Sequence, residues 1–139
     1  MSSKLAIEIS GAGPAGLAAA LAITAVGRRA LVYEKRADVG GRFHGDFQGL
    51  ENWTTREDVL EELAALGIDA GFEYIPVREI VCFDPEGTAR TFRSLQPLFY
   101  LVRRGSQPGS LDYSLKQQAL AAGVDIRFDA PASQLPDGG

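Results

Sequence analysis

The sequence predicts an α/β fold that opens with a parallel βαβ unit and is then interrupted by an antiparallel β excursion. Three observations carry that expectation. A short apolar run at 5–9 meets a cluster of glycines, an Ala- and Leu-rich stretch follows at 14–26, and a second apolar run at 30–34 ends on Glu34. Strand, glycine turn, helix and strand in that order make a βαβ unit, whose crossover is right-handed in nearly all cases. Further along, two strand-like segments flank the turn Asp84-Pro85-Glu86-Gly87, which is hairpin chemistry.

Each element has a local reason. Residues 5–9 are short and mainly apolar, the pattern of a buried parallel strand. Strong helix formers fill 14–26, and Gly27 suits the left-handed stop after a helix. The glycine-rich stretch 35–53 is expected to be an irregular loop. Thr54 and Glu57 have capping-box spacing, which opens a helix over 54–66 with Val59, Leu60, Leu63 and Leu66 as its core stripe. Residues 72–83 and 88–92 read as strands, and Pro76 places the first at an edge or irregular position. A further strand is expected at 98–102. Leu111, Leu115 and Ala119 share one face of a helix over 111–122, which Gly123 closes, and 124–128 is a last apolar strand. No internal repeat is present.

Composition limits the function classes. The chain has 139 residues, 45% apolar and 23% charged, with a net charge of −4. That is room for one modest domain. The charges are interspersed and mildly acidic, which argues against a nucleic-acid surface. One cysteine, Cys82, and one histidine, His44, provide neither an internal disulfide nor an ordinary zinc site, so no metal is expected and a cytoplasmic location fits. No apolar run reaches the roughly 18–20 residues of a membrane span.

The chemistry is concentrated in Gly11-Ala-Gly13-Pro-Ala-Gly16. This fits G-x-G-x-x-G after a strand and at the start of a helix. The first glycine permits a tight turn, the second lets a pyrophosphate approach the backbone, and the third lets helix and strand pack closely. The helix N-terminus offers N–H groups and partial positive charge to phosphate, and Pro14 loses little at the first helical position. Glu34 ends the second strand, where its carboxylate can accept both hydroxyls of an adenosine ribose. The pattern predicts a Rossmann-like fold that grips an adenine dinucleotide. The charge of Glu34 disfavours a 2′-phosphate, although Lys35 and Arg36 could offset it. A tight turn without a ligand is the plainer alternative.

Which dinucleotide is bound comes from resemblance. The segments "GAGPAGLAAA" and "LVYEKRADVGGR" resemble the opening of the two-dinucleotide-fold flavoproteins, whose βαβ unit holds the ADP portion of FAD. Residues 100–128, "YLVRRGSQPGSLDYSLKQQALAAGVDIRF", resemble the arginine-leading helix–strand segment of the geranylgeranyl-reductase and aromatic-hydroxylase branch. "GRFHGDFQGLENWTTREDVLEELAALGI" and "FDPEG" are most similar to the geranylgeranyl-reductase-like members.

The resemblance implies a Rossmann-like FAD/NAD(P)-binding fold. Residues 1–70 would be the first part of the FAD domain (βαβ 4–34, loop 35–53, helix 54–66). Residues 71–102 would start a substrate domain, and 103–139 would return to the FAD domain. Gly11, Gly13, Pro14, Ala15, Gly16, Glu34 and Lys35 would lie at the ADP moiety, with Gly41 and Arg42 beside the pyrophosphate or flavin. Of Arg103 and Arg104, one would face the cofactor and the other solvent, since strand neighbours point opposite ways; Arg104 is favoured. The backbone of Ala132 would read the adenine. FAD is the implied cofactor, with NAD(P)H as a possible electron donor. The implied chemistry is hydride transfer to an alkene of an isoprenoid lipid, or hydroxylation of a small molecule.

The family's downstream Gly-Asp motif is absent. The chain is therefore expected to be the N-terminal third of such an enzyme, an incomplete domain with no assignable catalytic residue. Exposed sheet edges would favour self-association, and a lipid substrate would allow peripheral membrane contact. The alternatives are an NAD(P)-dependent dehydrogenase fragment and a non-catalytic adenine-dinucleotide-binding module. Phe43 and Trp53 are expected in packing roles, His44 as a loop residue, and Cys82 as a small buried hydrophobe.

Overall fold

A computed structural model of the chain describes residues 5–131. In chain order the elements are β1 (Ile7–Ser10), α1 (Pro14–Ala25), β2 (Ala30–Tyr33), β3 (Phe47–Glu51), α2 (Val59–Ala65), β4 (Tyr74–Val77), β5 (Glu79–Phe83), β6 (Ala89–Arg93), β7 (Phe99–Arg103), α3 (Leu111–Ala121) and β8 (Asp125–Arg127). The predicted mixed α/β architecture, with a parallel sheet and an antiparallel excursion, is present.

β2 has no polar alternation and is buried along its whole length, as a strand covered on both faces must be. It forms the centre of a parallel sheet with β1 on one side and β8 on the other. Ile9 lies opposite Val32, and Val32 opposite Ile126. α1 and α3 pack against each other. Leu17, Val32, Val39, Ile68, Val102 and Leu115 fall in one continuous buried cluster. Burying a side chain such as Leu17 contributes about 1.5–3 kcal/mol.

The excursion departs from the sequence expectation in three places. First, residues 47–51, expected to be loop, form β3, which pairs antiparallel with β7. The segment alternates too weakly to be recognised alone, and β7 supplies its partner. Second, the strand expected over 72–83 is broken at Arg78 into β4 and β5, which belong to different sheets. Pro76 sits in β4, the outer strand of the β3-β7-β4 sheet, where its missing N–H does no harm. Third, the helix expected from Thr54 begins only at Val59, with Asp58 as N-cap.

The late start of α2 has a tertiary cause. Asp58 Oδ1 accepts the Leu60 N–H at 2.9 Å, and Asn52 Oδ1 accepts the Val59 N–H at 2.7 Å. Tyr100 Oη donates to Asp58 Oδ2 at 2.6 Å. Thr54 instead donates to the Glu51 carboxylate. A cap held from β7 outcompetes a local capping box. Val59, Leu60 and Leu63 pack partly buried against the core, but Leu66 is 49% exposed, so the stripe stops one turn short of expectation.

Two residues are on the surface rather than inside. Cys82 is exposed because β5 and β6 form a two-stranded ribbon with no further cover among the described residues. Trp53 is 60% exposed and makes an edge-to-face contact with Phe99, at 6.4 Å between centroids.

Burial, together with the hydrogen bond to Asp58, pushes the Tyr100 phenol up to about 12. Its folded value lies above the unfolded one near 10, so its stabilising contribution is complete below pH 10 and is lost as pH rises through 12. Ultraviolet titration should therefore show a tyrosine step near pH 12 that Tyr100→Phe removes, while Tyr33, also raised by burial and by Glu8, still ionises above the ordinary range in that variant. The same substitution should lower unfolding stability by about 1 kcal/mol, read as a lower urea midpoint at unchanged slope.

Candidate nucleotide-binding site

The loop between β1 and α1 uses its glycines differently. Gly11 has φ +95°, in the left-handed region that side chains avoid. A Cβ on Gly16 would lie 2.0 Å from the Gly11 carbonyl oxygen, so helix and loop can meet there only without one. Gly13 is the N-cap of α1 at φ −77°, and a Cβ on it would meet nothing within 4 Å. Its missing side chain leaves open space over the helix end. Pro14 takes the first helical position, and no acidic side chain occupies the first turn. The free amides and the positive end of α1 thus face an open crevice, as anion binding requires.

Glu34, just past β2, forms the second wall. Its Oε2 accepts the Ala12 N–H at 2.9 Å and its Oε1 accepts the Arg36 N–H at 3.0 Å. The carboxylate therefore ties the glycine loop to the segment after β2. Each oxygen keeps a further lone pair for a ligand hydroxyl. Arg36 donates through Nη1 to the Gly41 carbonyl at 2.8 Å and so braces the loop that closes the crevice.

The far wall is built where β7 enters α3. Asp112 is 1% exposed. Its Oδ2 and Oδ1 accept Arg104 Nε and Nη2, both at 2.8 Å, and Oδ2 also accepts the Gly105 N–H at 3.0 Å. Arg104 donates also to Gln48 on β3, and its guanidinium lies 4.2 Å over the Phe43 ring. Against this knot rests Gly40. A Cβ there would lie 2.5–2.7 Å from the Gly105 backbone, and both glycines have positive φ. Lys116 on α3 holds Asp38 at 2.7 Å, which secures the same loop from the other end.

The resulting crevice encloses about 410 Å³. Of the residues singled out by sequence, Gly13, Pro14, Glu34, Lys35, Gly41, Arg42 and Arg104 line it. Gly11, Ala15 and Gly16 shape the turn behind it without lining it. Arg103 points elsewhere: it pairs with Glu73 at 2.9 Å and lines a separate cavity that includes His44. Ala132 lies outside the described residues. Phe43, expected in a packing role, lines both cavities.

The sequence patterns do not point to Asp112, Gln48, Asp38 or Gly40. Asp112 carried one available signal, an acid in the first turn of α3 eight residues after Arg104. The others depend on loop contacts that sequence spacing does not reveal.

Comparison with known proteins bears on the fold that carries this crevice. Residues 9–69 fit the family model of the NAD(P)-binding Rossmann-like domain. The chain carries a Rossmann-like fold.

Solved structures extend the likeness beyond residue 69. A geranylgeranyl bacteriochlorophyll reductase-like protein from Thermoplasma acidophilum is similar at 22% identity and TM-score 0.66, over 91% of this chain and 30% of that one. The p-nitrophenol 4-monooxygenase PnpA from Pseudomonas putida is similar at 16% identity and TM-score 0.67, over 93% and 33%. The tetrameric form of 2-methyl-3-hydroxypyridine-5-carboxylic acid oxygenase gives 23% and 0.64, over 88% and 30%. The chain thus spans about a third of the length of these structures. No curated protein sequence matches it.

The pairing of Asp112 with Arg104 makes the knot testable. Asp112→Ala would leave the Arg104 guanidinium buried without its partner, and should cost about 3–5 kcal/mol, measured by denaturant unfolding. Gly40→Ala should also destabilise, because its Cβ would meet backbone rather than a movable side chain.

Proposed function

We propose that the crevice holds the ADP part of an adenine dinucleotide, with FAD as the occupant, and that the chain is the N-terminal nucleotide-binding part of a flavin-dependent oxidoreductase. The observation that carries this reading is the open space at Gly13, directly over the amino end of α1 and beside Glu34. A diphosphate there would accept from the free amides of α1, with Arg42 and Arg104 as charge-assisted donors along the wall. Glu34 would take the ribose hydroxyls on its remaining lone pairs. Its negative charge opposes a 2′-phosphate at that position.

The residues present fit such a cofactor. When bound, the flavin supplies the redox chemistry, while the protein binds and orients it. Support for a flavin over a nicotinamide comes from the solved structures of like fold, which include a reductase-like protein, two oxygenases and a flavin-dependent brominase. On this reading the intact enzyme reduces an isoprenoid alkene, in the manner of geranylgeranyl reductases, or hydroxylates a small molecule, with NAD(P)H as a donor. The match to an NAD(P)-binding family favours a second reading, in which a nicotinamide dinucleotide occupies the crevice.

Titration calorimetry with ADP, FAD and NADH separates the readings. The decisive variant is Gly13→Val. Nothing in the protein stands within 4 Å of the added Cβ, so the melting temperature should change little. Binding of ADP and FAD should fall by at least about tenfold, because the side chain fills the phosphate space. Unchanged ADP affinity in a folded Gly13→Val protein would remove the basis of the proposal.

A further inference from the structure

The ribbon of β5 and β6 pairs with no other strand among the described residues. Val81, Phe83 and Phe92 on it are 49%, 70% and 52% exposed. Its two edges differ. β6 carries Arg90 and Arg93, charges of the kind that guard an edge. β5 carries one charge, Glu79 at its start, which pairs with Arg93 across the ladder, and then runs Ile80-Val81-Cys82-Phe83 with no charge, proline or bulge.

The ladder determines which backbone groups of β5 face outward. The Ser94 N–H donates to the Arg78 carbonyl at 2.9 Å, and the Asp84 N–H donates to the Thr88 carbonyl at 3.1 Å. Alternate residues of an antiparallel pair turn their N–H and C=O to alternate sides. Arg78, Ile80, Cys82 and Asp84 therefore turn toward β6. Glu79, Val81 and Phe83 present theirs to the free edge.

We propose that β5 is a self-association edge, which pairs antiparallel with β5 of a second copy of this chain about a two-fold axis at Val81. Three features select that occupant and register. Val81 then faces its own symmetry mate and Glu79 faces Phe83 of the other copy, so every outward N–H meets an outward C=O. One residue further out, Arg78 stands opposite Asp84 of the copy, placing opposite charges at both ends of the seam. Moving the axis one residue spoils the match. It brings Phe83 opposite Val77, whose carbonyl already accepts from Leu98 at 2.7 Å, or Glu79 opposite Pro85, which has no N–H. A self-complementary patch of this kind closes as a dimer. The result is a four-stranded sheet, long enough to be stable where a lone ribbon is marginal.

The test is made on the full chain by sedimentation equilibrium over rising concentration, with dimer expected. Val81→Pro removes one outward N–H per copy without touching the β5–β6 ladder, and should weaken association roughly thirtyfold. Val81→Lys, which sets two cations against each other at the axis, should weaken it likewise; circular dichroism confirms that each variant is folded. In a Cys82→Ser background, Val81→Cys should cross-link to its mate on mild oxidation, because Cα atoms of a hydrogen-bonded pair lie about 5.5 Å apart, within disulfide range. Thr91→Cys on the guarded side should not. A monomer at all concentrations, a dimer that both Val81 variants leave equally tight, or cross-linking at position 91 instead of 81 would each overturn the proposal. None of these outcomes depends on cofactor binding.

Discussion

A buried carboxylate sets the shape of the crevice. Asp112 sits in the first turn of α3, where the chain passes from the antiparallel sheet back toward the parallel one. Taking such a group out of water costs several kcal/mol unless its oxygens are paired. Here they accept from the Arg104 guanidinium and from the Gly105 N–H. Ser110, the N-cap of the same helix, donates to the Gly105 carbonyl at 2.5 Å. Gly105 is thereby held by both its donor and its acceptor. Only against such a fixed backbone can Gly40 lie close enough for the loop 38–43 to form a wall.

The charge distribution around the crevice has a consistent logic. Glu34 is the acid in its second wall, and two backbone N–H groups satisfy it rather than a side-chain cation. Arg42 and Lys35 are therefore not drawn inward to it. Those cations remain on the rim, beside the positive end of α1. The acid and the positive groups are thus kept apart along one groove, the arrangement on which the proposed dinucleotide site rests. Arg104 differs from the rim residues because its charge is already balanced by Asp112. It contributes oriented N–H groups and a flat face on Phe43 more than net charge.

The excursion obeys different physics. The parallel sheet packs against α1 and buries its middle strand completely, whereas the β5–β6 ribbon leaves apolar side chains on both faces in water. A two-stranded ribbon is marginal alone. Its persistence here follows from continuity with β4 and β7, to which it is joined at Arg78 and at the segment before Phe99. Cys82 and Phe83 look like core residues by composition and are not, because the faces that would bury them have no counterpart among the described residues.

Local patterns in the chain determined a large part of this protein. The glycine loop, the two short apolar runs, Glu34 at the end of the second, and the helix at Leu111–Ala121 are legible because each rests on backbone constraints within a few residues. φ is positive at Gly11, Pro14 fits only a first turn, and apolar runs without alternation need cover on both faces. Tertiary structure alone decided the rest. β3 exists because β7 lies beside it, and α2 starts at Val59 because Tyr100, far along the chain, holds its cap. Arg104 rather than Arg103 lines the crevice because Asp112 captures it. Those outcomes turn on which distant group satisfies a buried donor or acceptor, and residue spacing along the chain does not encode that choice.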